Sequence, residues 1–276
     1  MKIAVTGSSG RVGKAIVEMA LAQGNSVVCI DRVKPNNNSR QPDLDYIQAD
    51  LRDYSAFETA LRGCDALVHM AAIAAPGHHP DHEVHNNNVT GSYNALRAAV
   101  EVGIQRVCQA SSVNATGLAY SRWPRFDYFP LDEEHPTYNE DPYSLSKWIC
   151  EEQANSFARR YEGMTISSMR FHWVVPERAA AVQARGYSQT NAGVKNLWAY
   201  TRFDSAAQAC LLSLTADFKG HEVFYITAPD TIVDTPSLEL KQEFFPDVPV
   251  RGDLSGHKSF FNSSKAERLL GWKHDQ

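Results

Sequence analysis

The sequence predicts an α/β protein: a Rossmann-like doubly wound parallel sheet with a small C-terminal lobe. Two observations carry this. Short apolar runs alternate with amphipathic segments of helical spacing through the first 170 residues, and strands separated by helices pair in parallel through right-handed crossovers. A glycine-rich turn, TGSSGRVG at 6–13, also joins the first apolar run to the first helical segment.

The elements follow in order. Residues 2–5 read as the first strand, and 11–23 as a helix with Val12, Ile16, Met19 and Ala20 on one face. Residues 26–30 form the next strand, followed by a polar loop holding Asn36, Asn37 and Asn38. Residues 45–48 form a short strand, 54–61 a helix ended by Gly63, and 66–69 a strand. A long helix over 88–102 closes at Gly103. Residues 105–110 form the fifth strand, 141–161 a second long helix and 165–170 the sixth strand. Beyond Arg170 the pattern loosens to a helix at 204–214, a strand at 222–227, a short helix at 236–245 and a final helix at 263–270 ended by Gly271. Residues 1–170 are thus expected to form a dinucleotide-binding domain. Residues 171–276 are expected to form a small substrate-binding lobe, interleaved with it and packed over the carboxyl ends of the strands.

Composition narrows the function classes. Of 276 residues, 43% are hydrophobic, enough for a sizeable core and too few for a membrane protein. No apolar run approaches the roughly 20 residues that a spanning helix needs. The first strand starts almost at Met1, which leaves no room for a targeting segment. A net charge of −5 gives no electrostatic footprint for nucleic acid. Cys29, Cys64, Cys108, Cys150 and Cys210 form no Cys-x-x-Cys pair, so buried thiols in a reducing cytoplasm are expected. The run GHHPDHEVH at 77–85 is dense in imidazole; zinc can bind such runs, but no metal is expected here.

The glycine turn points to a dinucleotide. Gly7 allows a tight turn, Gly10 lets the backbone approach a pyrophosphate, and Gly13 lets the helix sit close to the strand. The unpaired amides around Ser9, Arg11 and Val12 and the positive helix end then hold the phosphates. Asp31 ends the second strand, where a carboxylate accepts from the adenosine ribose hydroxyls and repels a 2′-phosphate. NAD is therefore favoured over NADP, although Arg32 beside it can pair with that phosphate. Asp50 and Leu51 follow the third strand and border the adenine position. Ala71 and Ala72 follow the fourth and leave room for the cofactor to cross.

YSLSK at 143–147 places Tyr143 and Lys147 on one face at the start of a helix. A free tyrosine has a pKa near 10, and lowering it by about three units takes roughly 4 kcal/mol of phenolate stabilisation. A nearby ammonium and a positive nicotinamide ring can supply that. Ser111 and Ser112 follow the fifth strand at the same sheet edge, where one hydroxyl can polarise the reacting oxygen.

The set TGSSGRVG, Asp31, HMAAIA (69–74), NNVTGSYNAL (87–96), SSVNATG (111–117), YSLSK and SKAERLLGW (264–272) resembles the NAD-dependent epimerase/dehydratase family, an extended short-chain dehydrogenase/reductase group, along essentially the whole chain. The resemblance implies Ser112 as the catalytic hydroxyl, Asn88 as the structural asparagine of the long helix, and the segment from Arg170 to Pro176, with His172, alongside the nicotinamide. It implies Ile73, Asn114 and Trp173 as substrate contacts. It also implies a homodimer through the two long helices and a small-molecule substrate. Length and SSVN are closest to uronate dehydrogenases, but Asn114 stands where that group has His and Trp173 where it has a small hydroxyl residue. Arg178 is a candidate carboxylate clamp or a surface arginine. The short C-terminal part predicts a substrate without a UDP or GDP handle. The expected reaction is NAD-dependent hydride transfer at a hydroxyl or carbonyl of a sugar, sugar acid or similar compound. Alternatives are a nucleotide-sugar epimerase that retains NAD and an NADPH-dependent carbonyl reductase. A dinucleotide sensor is disfavoured by the presence of Ser112, Tyr143 and Lys147. The aromatics of the 118–141 loop are expected to line the pocket, pack the loop down or meet a partner.

Overall fold

In the computed structural model, which describes residues 1–33, 42–185 and 191–274, the predicted alternation becomes a sheet with helices on both faces. The strands are β1 (Lys2–Thr6), β2 (Ser26–Asp31), β3 (Leu44–Gln48), β4 (Ala66–His69), β5 (Arg106–Ala110), β6 (Thr165–Phe171), β7 (Val174–Val175), β8 (Thr201–Arg202) and β9 (Gly220–Ile226). The helices are α1 (Arg11–Ala22), α2 (Tyr54–Leu61), α3 (Asp81–Val102), α4 (Pro142–Arg160), α5 (Arg178–Arg185), α6 (Asn191–Asn196), α7 (Phe203–Ser213), α8 (Ser237–Phe244) and α9 (Ser264–Leu270). The asparagine-rich loop expected at 36–38 lies outside the described residues.

The main sheet runs β3-β2-β1-β4-β5-β6-β9, and β7 pairs with β8 apart from it. Every pairing in the main sheet is parallel. Alternation along β1 explains the two layers. Ile3 and Val5 face a core with Ile16 of α1, Ala206 and Cys210 of α7, and Trp272. Ala4 faces Phe57 of α2, Leu96 and Ala99 of α3, and Ala154 and Phe157 of α4. Strand order reverses between β1 and β4, and that switch point opens a crevice at the carboxyl ends of the strands.

Three expectations change. The late strand, foreseen in the C-terminal part, joins the main sheet as β9 beside β6. Only its last three residues are buried, so its pattern is too weak to announce a sheet position. The long helix α3 begins at Asp81, seven residues before the predicted start. Pro80 precedes it, and Asp81 and Glu83 lie in its first turn, where negative charge favours the helix N-terminus. The last five of the nine residues of the histidine-rich run are therefore helical. The short elements α5, α6, β7 and β8 carry too few residues for a period to be read.

A separate core supports the rim of the crevice. Phe126, Phe129, Trp198, Tyr225 and Phe260 are buried together, and the rings of Phe129 and Phe260 are 5.0 Å apart. Main-chain bonds in both directions hold the 118–141 loop to the C-terminal part: Phe129 N–H donates to Pro249 O at 2.9 Å and Leu131 N–H to Phe260 O at 2.7 Å, while Arg251 N–H donates to Phe129 O and Asn262 N–H to Leu131 O, each at 2.7 Å. All five cysteines are buried free thiols. Among the described residues no helix is long and apolar enough to cross a membrane.

Candidate active site

The carboxyl ends of β1, β2, β4, β5 and β6 open on a cavity of about 760 Å³. Its inner end is made of backbone. Gly7 has φ +65°, and a Cβ there would lie 2.8 Å from Ala71 N. A Cβ on Gly13 would lie 2.2 Å from Gly7 O. Both positions thus exclude side chains, and the turn and α1 close up against β4. Gly7, Gly10, Arg11, Val12 and Gly13 line the cavity. Gly10 caps α1 without any side-chain hydrogen bond, so the first amides of α1 have no side-chain acceptor at the cap. Ser9 is not in the wall. Its N–H donates to Asp31 Oδ2 at 3.0 Å, and Val33 N–H donates to Asp31 Oδ1 at 3.1 Å. These bonds hold the carboxylate at the cavity edge, beside Arg32, Asp50 and Leu51. Ala71 and Ala72 complete this end. The donor set fits a dinucleotide: exposed amides for phosphates, a carboxylate for ribose hydroxyls, and side-chain-free space between.

The outer end begins at α4. Asp141 caps that helix, accepting from Tyr143 N–H and Ser144 N–H at 2.9 Å each, and Pro142 fills the first turn. Tyr143 and Lys147 thereby face Ser112, and all three line the cavity. Ser112 Oγ accepts from Asn114 N–H at 3.1 Å, which leaves its own proton available to donate. Ser111 also borders the cavity, but its hydroxyl donates to Glu151 Oε1 at 2.5 Å. Arg170 grips the same carboxylate through bonds of 2.9 and 2.8 Å. Of the two serines, Ser112 is the one left for chemistry.

The electrostatics correct one expectation. Burial pushes the Tyr143 phenol well above its ordinary value, and its hydrogen bond with Ser112 opposes this without offsetting it. Lys147 does not act on it as foreseen. Its Nζ stands 5.8 Å from the Tyr143 ring centroid and donates to Ala110 O at 2.8 Å. Burial holds the Lys147 ammonium below its ordinary value, with Cys150 and Glu151 opposing. A dehydrated ammonium and a dehydrated phenol are both penalised when charged. The chain's own groups therefore do not make Tyr143 acidic.

Of the remaining candidates, Asn114, His172 and Trp173 line the cavity. His172 Nδ1 accepts from Trp173 N–H at 2.7 Å and its Nε2 donates to Asn196 O at 3.0 Å, which fixes the tautomer. Ile73 and Asn88 are not in the wall. Asn88 Oδ1 accepts from Ile73 N–H at 2.8 Å, and its Nδ2 donates to Ile73 O and Ser146 Oγ. It braces the chain behind the site and borders a small pocket beside Lys147. Arg178 is also outside the wall, because Nε donates to Asp230 Oδ2 at 3.0 Å. Asn87, Tyr120 and Asn196 do line it. None was singled out as a contact, since they come from three separate segments; only the loop's aromatic content hinted at Tyr120. Trp123 of the same loop is 80% exposed, while Phe126 and Phe129 pack down. Among the described residues no group of His, Cys, Asp or Glu is arranged to hold a metal ion.

The profile of the NAD dependent epimerase/dehydratase family matches residues 3–199. This chain belongs to that family. A Methanocaldococcus jannaschii protein named as a putative UDP-glucose 4-epimerase is 29% identical over 64% of this chain and 57% of the relative. An L-arabinose 1-dehydrogenase (NAD(P)(+)) of Haloferax volcanii is 30% identical over 63% of this chain and 67% of its own. The match to the first of these thus spans little more than half of the relative. Two solved structures share the fold. A mutated uronate dehydrogenase has a TM-score of 0.72 at 21% identity, covering 100% of this chain and 82% of that one. A Thermotoga maritima UDP-glucose 4-epimerase with UDP-glucose has a TM-score of 0.73 at 21% identity, covering 100% and 94%. Family membership accounts for the glycine turn and the Tyr143–Lys147 pair occurring together.

Proposed function

We propose that this family member is an NAD-dependent oxidoreductase acting at a hydroxyl or carbonyl of a sugar, sugar acid or similar small polar compound. The observation that carries this is the convergence of Ser112, Tyr143 and Lys147 on one cavity whose other end is the glycine turn and Asp31.

Gly7, Gly10, Gly13 and the amides of α1 hold the phosphates, and Asp31 accepts from a ribose diol. NAD is favoured over NADP because the Asp31 carboxylate repels a 2′-phosphate; Arg32 is the residue that bears on this preference from the other side. When bound, NAD supplies the hydride acceptor and a positive ring next to Tyr143. That positive charge is what the buried phenol lacks, so Tyr143 is expected to become a base only in the holoenzyme. Ser112 donates a hydrogen bond to the reacting oxygen of the substrate. Tyr143 takes the proton from that oxygen. Lys147, aligned by Ala110 O, orients the nicotinamide ribose. The dimer implied by the resemblance, through α3 and α4, belongs to the same proposal, as does a cytoplasmic location.

The test is NADH fluorescence with NAD and panels of sugars, sugar acids and small alcohols, using wild type and Tyr143→Phe. The variant is expected to lose about 10²- to 10⁴-fold in kcat while NAD affinity stays within about threefold, a shift below 1 kcal/mol. Equal loss of NAD binding and turnover makes Tyr143 structural and overturns the reading. One relative is named an L-arabinose 1-dehydrogenase and another a putative UDP-glucose 4-epimerase; steady accumulation of NADH separates net oxidation from the epimerase alternative.

A further inference from the structure

A substrate carrying a carboxylate or phosphate needs a cation, or several convergent N–H donors, where it is withdrawn from water. Several lysines and arginines of the segments that border the outer end of the cavity are committed elsewhere, Arg170 to Glu151 and Arg202 to Asp204 among them. Lys147 Nζ donates to Ala110 O at 2.8 Å. Lys195, next to the wall residue Asn196, donates to Ser121 O at 2.7 Å. Arg178 opens α5 just beyond the wall residue Val174. Its Nε donates to Asp230 Oδ2 at 3.0 Å and its NH2 group to Thr231 O at 3.0 Å. Asp230 is itself held, for its Oδ1 accepts from Tyr200 OH at 2.9 Å. The guanidinium that a sugar acid would require is thus already paired with Asp230 at the surface.

Uncharged groups occupy the outer wall instead. Asn87, Asn114 and Asn196 contribute carboxamides, and Tyr120 and Trp173 contribute rings. Tyr120 stands edge-on to Tyr143, with centroids 5.8 Å apart and planes at 90°. Of the charged wall residues, Arg11, Asp31, Arg32 and Asp50 follow β1, β2 or β3, at the dinucleotide end, and Lys147 of α4 is the one lysine or arginine of the wall at the other end, where His78 also borders the cavity. Carboxamides replace the water bonds of hydroxyl groups, and aromatic faces cover the apolar C–H face of a ring. An acid placed here loses its hydration and, among the described residues, meets no lysine or arginine in the wall at this end that is not already bonded within the chain, which is costly.

We propose, on the oxidoreductase reading above, that the cavity takes an uncharged polyhydroxy ring, an aldose or similar neutral sugar, and discriminates against the corresponding acid and against nucleotide-linked sugars.

The experiment compares matched substrates that differ only in charge, with wild-type protein and NAD: galactose against galacturonate, glucose against glucuronate, and UDP-glucose as the nucleotide-linked probe. The neutral member is expected to exceed its acid by about 100-fold or more in kcat/KM, the size of discrimination reached when a polar group has no partner. Its KM is expected to change less than about twofold between roughly 0.02 and 0.5 M salt, because no charge pair is there to be screened. Trp173→Ala is expected to raise KM for the neutral sugar about tenfold with kcat changed less than about threefold, as loss of uniform binding does. A purely structural role would lower kcat and thermal stability together. Equal or preferred turnover of the acid or of UDP-glucose, or a KM that rises steeply with salt, overturns the proposal and leaves the oxidoreductase reading intact. Failure of every hydroxyl compound to reduce NAD overturns both.

Discussion

The two ends of the cavity are built differently. At the dinucleotide end the main chain does the work: Gly7 and Gly13 lie where no Cβ fits, and even Asp31 is held by the amides of Ser9 and Val33. At the substrate end the wall is made of side chains from β5, the 118–141 loop, α4, the segment after β6 and α6. A grip made by backbone leaves a local sequence signature, because glycine is required at fixed offsets. A grip assembled from distant side chains leaves none, and its charge balance depends on partners such as Asp230 that lie outside the wall.

That contrast is open to attack, beginning with the largest effect. Glu151 is the buried link beneath the substrate end, held by Arg170 with side chains only 4% and 6% exposed. Glu151→Ala leaves a buried guanidinium without its anion and is expected to cost about 3–5 kcal/mol in urea unfolding. A loss below about 1 kcal/mol would mean that Arg170 finds another partner and that this end is less rigid than drawn. Next, Gly13→Ala forces a methyl group to within 2.2 Å of Gly7 O and must displace the turn. NAD affinity is expected to fall about 100-fold, or about 2.7 kcal/mol, measured by fluorescence titration. Unchanged affinity would show that the backbone is not the grip. Asp31→Ala sharpens the same point at about tenfold in NAD affinity, or about 1.4 kcal/mol, with NADP affinity unchanged or improved.

A smaller effect comes from pH. His69 is buried and His221 half-buried, and desolvation lowers their pKa values from 6.5 to about 3 and about 4. Next after burial, Lys147 lowers His69 further, while Glu151 opposes the shift at His221. Both stay neutral in the fold and take a proton on unfolding. The unfolded chain therefore binds more protons below pH 6.5, so stability is intact above that pH and lost as pH falls toward 4. The expected slope is up to about 1.4 kcal/mol per pH unit for each histidine. Thermal melts between pH 7 and 4 check it, and a His221→Gln variant with an unchanged slope would refute that residue's part.

The order of the first six strands and the helices between them is legible in the sequence because hydrophobic period and glycine punctuation are local properties. So is the glycine turn with Asp31, and so is the pairing of Tyr143 with Lys147, since four residues on a helix is one turn. Membership of β9 in the main sheet was not legible, for an edge strand half-exposed on its first residues carries little pattern. Nor was the choice of Ser112 over Ser111 from the residues alone, which turns on Glu151 forty residues away accepting the Ser111 hydroxyl.

The amino-acid order by itself determined a parallel α/β sheet, a turn stripped of side chains for phosphates, and a tyrosine and a lysine on one helical face. Tertiary structure alone decided that burial raises that phenol, that Asp230 pairs with Arg178, and that carboxamides and rings line the outer end of the cavity. The reason is physical: backbone geometry follows from neighbours in sequence, while the energy of a charge follows from everything that surrounds it in space.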